Sequence, residues 1–156
     1  MMNALARPFR RMSCIGRDET GSMAIEMAFV APVLLIMALG GFEVATMVAR
    51  QTDLQSAAAE AASIVRAVIP ETEAQRTTVR DVLATSSGLT TDQITVTEIY
   101  RCGTTTDYVT VADSCGGGVQ YKFIRVDLTD SYAPIWTKWG VGEGFTYNVS
   151  RTVQIG

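Results

Sequence analysis

The chain has 156 residues, 47% hydrophobic and 19% charged, with a formal net charge of -3, which leaves room for about one domain plus an appendage. It contains no histidine, so the commonest general base and metal ligand is missing. No basic patch or nucleic-acid signature is present, which argues against a nucleic-acid partner.

Four arginines, Arg7, Arg10, Arg11 and Arg17, open the chain, accompanied only by Asp18 and Glu19. Residues 27–42 then read MAFVAPVLLIMALGGF, 16 positions without a charge, and residues 44–49 carry the apolar character past Glu43. About 20 mostly apolar residues cross a bilayer, so residues 24–49 suffice for a transmembrane helix. The arginines before it predict a cytoplasmic N-terminus, with everything after Arg50 outside. Pro32 lacks the N–H that would bond the carbonyl of residue 28, which predicts a kink. Gly41 and Ala45 make a small-xxx-small pair that suits a neighbouring helix, although lipid serves as well. Cys14 precedes the apolar stretch, whereas the lipidated cysteine of a lipoprotein signal follows it. A secretory signal is a further alternative, with Ala38-Leu39-Gly40 as a small-x-small cleavage site.

Residues 18–26, DETGSMAIE, resemble the processing site of type IV prepilins. The longer stretch 21–62 resembles the TadE-like pseudopilins of tight-adherence (Flp, type IVc) pili: a glycine, variable residues, Ile-Glu, apolar residues with Ala-Pro, Gly-x-Glu, then an Ala-rich amphipathic helix. Met27 departs from that pattern, in which an aromatic usually follows the glutamate. The resemblance implies cleavage by a prepilin peptidase between Gly21 and Ser22, removing residues 1–21 as a leader and leaving Glu26 as the fifth mature residue. It implies as partners other pilins or pseudopilins, an inner-membrane assembly platform, an assembly motor and the peptidase, and it implies no cofactor. A carboxylate in an apolar segment costs up to about 3 kcal/mol at the bilayer centre and normally has a partner. For Glu26 that partner is the ammonium created by cleavage, in a pilus that of the neighbouring subunit; the alternative is an interfacial glutamate facing water.

Beyond the membrane, Leu54, Ala58, Ala61, Val65 and Val68 recur at helical spacing and continue the anchor as an amphipathic helix, which Pro70 should stop. The Ala-rich stripe suits a core or an interface. A second helix is expected over residues 71–85, with Val79, Val82 and Leu83 inward and Gly88 at its end. Strands are expected over residues 94–100, 119–128 and 145–155; the inward set of the second switches parity between Phe123 and Ile124, which predicts a bulge. These elements predict an α+β fold, a long N-terminal transmembrane and amphipathic helix packed on a small antiparallel sheet, and pilin-like. The organisation is a leader (1–21), a transmembrane helix (22–49) and a periplasmic or extracellular domain (50–156).

Three cysteines are present. If a membrane separates Cys14 from the others, Cys102 and Cys115 form one disulfide; the alternative is two unpaired buried thiols. The run 116–118 lacks the Lys-Ser/Thr ending of a phosphate loop and reads as a turn. Asp107, Asp113, Asp127 and Asp130 match no calcium-loop spacing and read as solvated loop carboxylates. Residues 132–139 concentrate both tryptophans, which suits a partner interface or a core cap. No nucleophile, base and oxyanion donor assemble, so the chain reads as no enzyme and with no metal site. The expected role is that of a minor pilin at a bacterial inner membrane, taking part in pilus assembly, initiation or tip formation. The alternative is a membrane-anchored periplasmic ligand-binding or adhesive module, which needs neither the cut after Gly21 nor Glu26.

Overall fold

A computed structural model describes residues 19–156. The expectations placed on Arg7, Arg10, Arg11, Cys14, Arg17 and Asp18 lie outside the described residues. The chain divides into two compact units, one ending at Phe42 and the other formed by Glu43–Gly156.

Helix α1, Glu19–Val68, contributes to both units and carries Pro32 inside it. In the first unit every residue from 21 to 42 is exposed except Ala31 and Gly40, which are half-buried. Phe29, Leu35 and Ile36 are among the large apolar side chains left uncovered. The helix is long and apolar enough to cross a membrane, and a helix apolar all round belongs in lipid or inside a larger protein. Such a helix is what a single-pass anchor requires.

In the second unit the same helix becomes one-sided. Leu54, Ala57, Ala58, Ala61 and Val65 are buried, in one core with Ile124, Val126 and Leu128. The helix stops at Val68, two residues before the expected breaker. Ile69 adopts a positive φ of 48°, its N–H still bonding the Val65 carbonyl at 2.9 Å, and Pro70 follows, fully buried. Val68, expected inward, is 50% exposed, because the chain turns away there.

Helix α2, Glu73–Ser87, begins at a capping box. The Thr72 hydroxyl accepts from the Gln75 N–H at 3.3 Å while the Gln75 side chain accepts from the Thr72 N–H at 3.0 Å, satisfying two donors that a helix start leaves open. Gly88, in the left-handed conformation at φ 68°, caps the other end, as expected. Val79 and Leu83 point into the core, but Val82 is 48% exposed, which corrects its expected inward position: the buried arc centres between residues 79 and 83 and leaves 82 at its edge.

Strands β1 (Ile94–Cys102), β2 (Tyr108–Val109), β3 (Gln120–Tyr132) and β4 (Phe145–Gln154) form one sheet ordered β2-β1-β3-β4, antiparallel throughout. One face carries Ile94, Val96, Ile124, Val126, Leu128, Val149 and Val153 against α1 and α2. This is the α+β arrangement expected, a helix layer on a small antiparallel sheet. The alternation expected in β4 holds for Tyr147, Val149 and Val153, whereas Phe145 stays 48% exposed.

The bulge expected at Phe123 and Ile124 does not occur. Glu98↔Ile124 and Ile99↔Phe123 continue the β1–β3 register unbroken. The parity switch has another cause, since both faces of β3 are covered at this point. Ile124 is buried on the helix side, and Phe123 and Ile99 are buried on the other. There Tyr108 meets Phe123 edge-on, with ring centroids 5.3 Å apart, and the Arg101 guanidinium lies 5.2 Å from the Phe123 ring, an attraction of a cation to the ring face. A disulfide between Cys102 and Cys115 closes the loop that carries Tyr108.

Candidate functional site

The residues singled out from the sequence fall into two groups. Gly21, Ser22, Glu26 and Pro32 lie on the exposed part of α1; the first three are within two turns of one another. Cys102 and Cys115 lie far along the chain in the second unit and serve the sheet.

The second unit holds a set of polar contacts that the sequence reading passed over. Glu43, 8% exposed, is a buried charged residue. It accepts from the Tyr132 hydroxyl at 2.6 Å and from the Ile135 N–H at 3.3 Å. The Glu43 carboxylate bonded to it pushes the Tyr132 hydroxyl above its ordinary pKa. One turn on, the Met47 carbonyl accepts from the Tyr147 hydroxyl at 3.4 Å. A further turn on, Arg50 Nε donates to Asp130 at 2.5 Å, and Gln93 donates to the other oxygen of that carboxylate at 2.8 Å. Burial alone would raise the Asp130 pKa, but the bonds from Arg50, the Ser131 backbone and Gln93 outweigh it and hold the carboxyl below its usual value. Asp130 is therefore no loop carboxylate but a strand residue tying α1 to β3, and Asp127 is also in β3, bonded by Arg125 at 2.8 Å.

A signal for this set was present. The buried stripe at 54, 58, 61 and 65, extended backward at the same spacing of three and four, lands on Arg50, Met47 and Glu43. One helix face thus runs from polar ties to an apolar core.

At the far end of the sheet Glu98 accepts from Arg76 at 2.7 Å and Lys122 at 2.9 Å and from the Tyr100 hydroxyl. Burial pushes its carboxyl up, and the Tyr100 bond with the two cations pulls it below the ordinary value. A polar cleft of about 450 Å³ lies beside it, lined in part by Arg76, Arg80, Thr95, Thr97 and Glu98. Arg76 is also bonded to Glu73, and Arg80 to Asp81, so both cations are engaged within the protein. Among the described residues no group of three or more Cys, Asp or Glu is placed to hold a metal ion.

Residues 21–63 match the family model described as TadE-like protein. This segment is TadE-like. The match begins at the residue expected to end the leader and runs through Glu43, Arg50, Leu54 and Ala61, so it spans the exposed apolar stretch and most of the buried face of α1, with Val65 beyond it. The family points to a protein associated with the tight-adherence (Tad) pilus. The sheet and α2 lie outside the match, and no curated protein and no solved structure matches the chain.

Proposed function

We propose that the chain is a minor pilin, or pseudopilin, of a tight-adherence pilus, with a structural role in assembly, initiation or the tip and no catalytic one. The observation that carries this reading is the coincidence of the TadE-like match with a helix of membrane-spanning length whose apolar window is unburied among the described residues. Residues 1–21 are the leader, cut by a prepilin peptidase between Gly21 and Ser22. The mature helix then holds the protein in a bacterial inner membrane, N-terminus cytoplasmic and sheet domain periplasmic, until its apolar surface transfers from lipid to other pilins at the assembly platform. Pro32 kinks that helix by removing one hydrogen bond. Glu26 pairs with the amino terminus of a neighbouring mature subunit, since a carboxylate in an apolar segment needs a partner.

Intact-mass measurement of the mature protein tests the cleavage: the expected product begins at Ser22, a product beginning at Gly41 would establish a secretory signal, and an uncut chain a plain anchor. Glu26→Gln separates subunit from anchor further. At matched membrane levels and normal processing, cross-linking to other pilus components is expected to fall about tenfold, the effect of roughly 1.4 kcal/mol; unchanged cross-linking would remove the assembly role of Glu26.

A further inference from the structure

The turn between β3 and β4 exposes apolar side chains that the fold does not use. A short 3-10 helix, Ile135–Trp139, is followed by Gly140 in the left-handed conformation. Trp139 is 69% exposed, Val141 60%, Phe145 48% and Ile135 39%, and Lys138 is exposed beside them. The turn holds both tryptophans of the chain. Its position is fixed at the root, where the Tyr132 hydroxyl and the Ile135 N–H both bond Glu43. Glu43 follows Phe42 directly and is the first charged residue after the apolar run. The turn is therefore tethered to the first charge after the uncharged run 27–42, less than two helical turns before the apolar character ends at residue 49.

We propose that this turn is an interfacial lipid anchor, with Trp139, Val141 and Phe145 seated at the headgroup–acyl boundary of the bilayer that α1 crosses. Tryptophan rings favour that boundary because one edge is polar and the body apolar. Lys138 reaches outward toward anionic headgroups while its stem stays among the acyl chains. Glu43 acts as the positioning residue, since its two bonds set the depth of the turn. The inference rests on the anchor part of the proposed function, and on no part of the pilus reading.

The two tryptophans make the test direct. The full chain carrying Trp136→Phe is reconstituted in vesicles of phosphatidylcholine and phosphatidylglycerol brominated either near the headgroup or near the chain end. Trp139 emission is expected to shift to the blue and to lose about half its intensity with the shallow bromine, and clearly less with the deep one, as a ring at the interface requires. Trp139→Phe, which keeps Trp136, should lose most of that quenching. Alkaline carbonate extraction of the same vesicles separates the two readings. Unquenched Trp139 in a chain that resists extraction overturns the interfacial anchor alone, whereas a chain released by carbonate overturns the membrane anchor itself. A blue shift that depends on protein density and not on bromine assigns the patch to a protein neighbour and overturns the proposal.

Discussion

Residues 21–42 and 43–68 belong to one helix and are both rich in apolar residues, yet the first stretch is uncovered and the second is seated on a sheet. The difference lies in the size and placement of the side chains. Bulky residues such as Phe29, Leu34, Leu35 and Ile36 occur on all sides of the first stretch, so no single face can be turned inward. In the second stretch Leu54, Ala57, Ala58, Ala61 and Val65 lie along one stripe with Glu60, Ser63 and Arg66 off it, and a stripe can be buried by one partner surface. Apolar content alone does not distinguish an anchor from a core helix; its angular distribution does.

The largest expected effect tests that distinction. Leu128, 1% exposed on β3, should cost about 2–5 kcal/mol when truncated to alanine, read as a lower urea midpoint of the second unit in detergent. Leu35→Ala, at a position 64% exposed, should leave that midpoint unchanged. Equal losses would mean that the first stretch supports the sheet domain after all.

Reduction of the Cys102–Cys115 bond should cost about 3 kcal/mol on the chain-entropy account of a loop of this length. The same urea titration, with and without reductant, measures it. An unchanged midpoint would show that Tyr108 stays over Phe123 without the crosslink, and that the second unit owes its stability to the α1 side of the sheet alone.

Smaller effects come from the half-buried carboxyls of Glu98 and Asp130. Glu98 and Asp130 both have folded-state pKa values below their ordinary ones, so their stabilising contribution is complete above the ordinary carboxyl range, near about 4, and is lost as pH falls through the depressed values. Stability of the second unit should therefore decline steeply in acid, and Glu98→Gln should flatten that decline while lowering stability at neutral pH. Glu26→Gln, on the uncovered stretch, should leave the acid profile as it was.

The apolar helix, the helix stripe and the α+β class were legible because each rests on local periodicity, and the ends at Pro70 and Gly88 because each rests on local backbone chemistry. The bulge was misread because periodicity assumes one covered face, and a loop remote in sequence covers the second face at Phe123. Asp130 was misread because β3 runs on to Tyr132, past the end of the strand expected over 119–128, so that a tie point looked like loop; Asp127 fell inside that expected strand and was grouped with loop carboxylates all the same. Glu43 went unassigned for a related reason. Its partners Tyr132 and Ile135 lie about ninety positions away, and only the helical spacing back from Leu54 connects them.

The smallest expected effect concerns the end of the shared helix. Ile69 holds a φ of 48°, a left-handed conformation that costs an L-residue with a Cβ roughly 1–2 kcal/mol and that a β-branched side chain adopts least easily. Glycine has no such penalty, although it loses more freedom on folding, by roughly 0.5–1 kcal/mol. At 44% exposure, isoleucine also gives up part of its apolar burial on replacement. With roughly half of the about 1.5–3 kcal/mol of a buried isoleucine also lost, these terms nearly cancel, and Ile69→Gly should leave the urea midpoint within about 0.5 kcal/mol of the parent with the Val65 bond intact. A clear loss instead would mean that the side chain of Ile69 packs more strongly than its backbone is strained, and that the seated part of α1 is held at its last turn by apolar contact as it is at Leu54 and Val65.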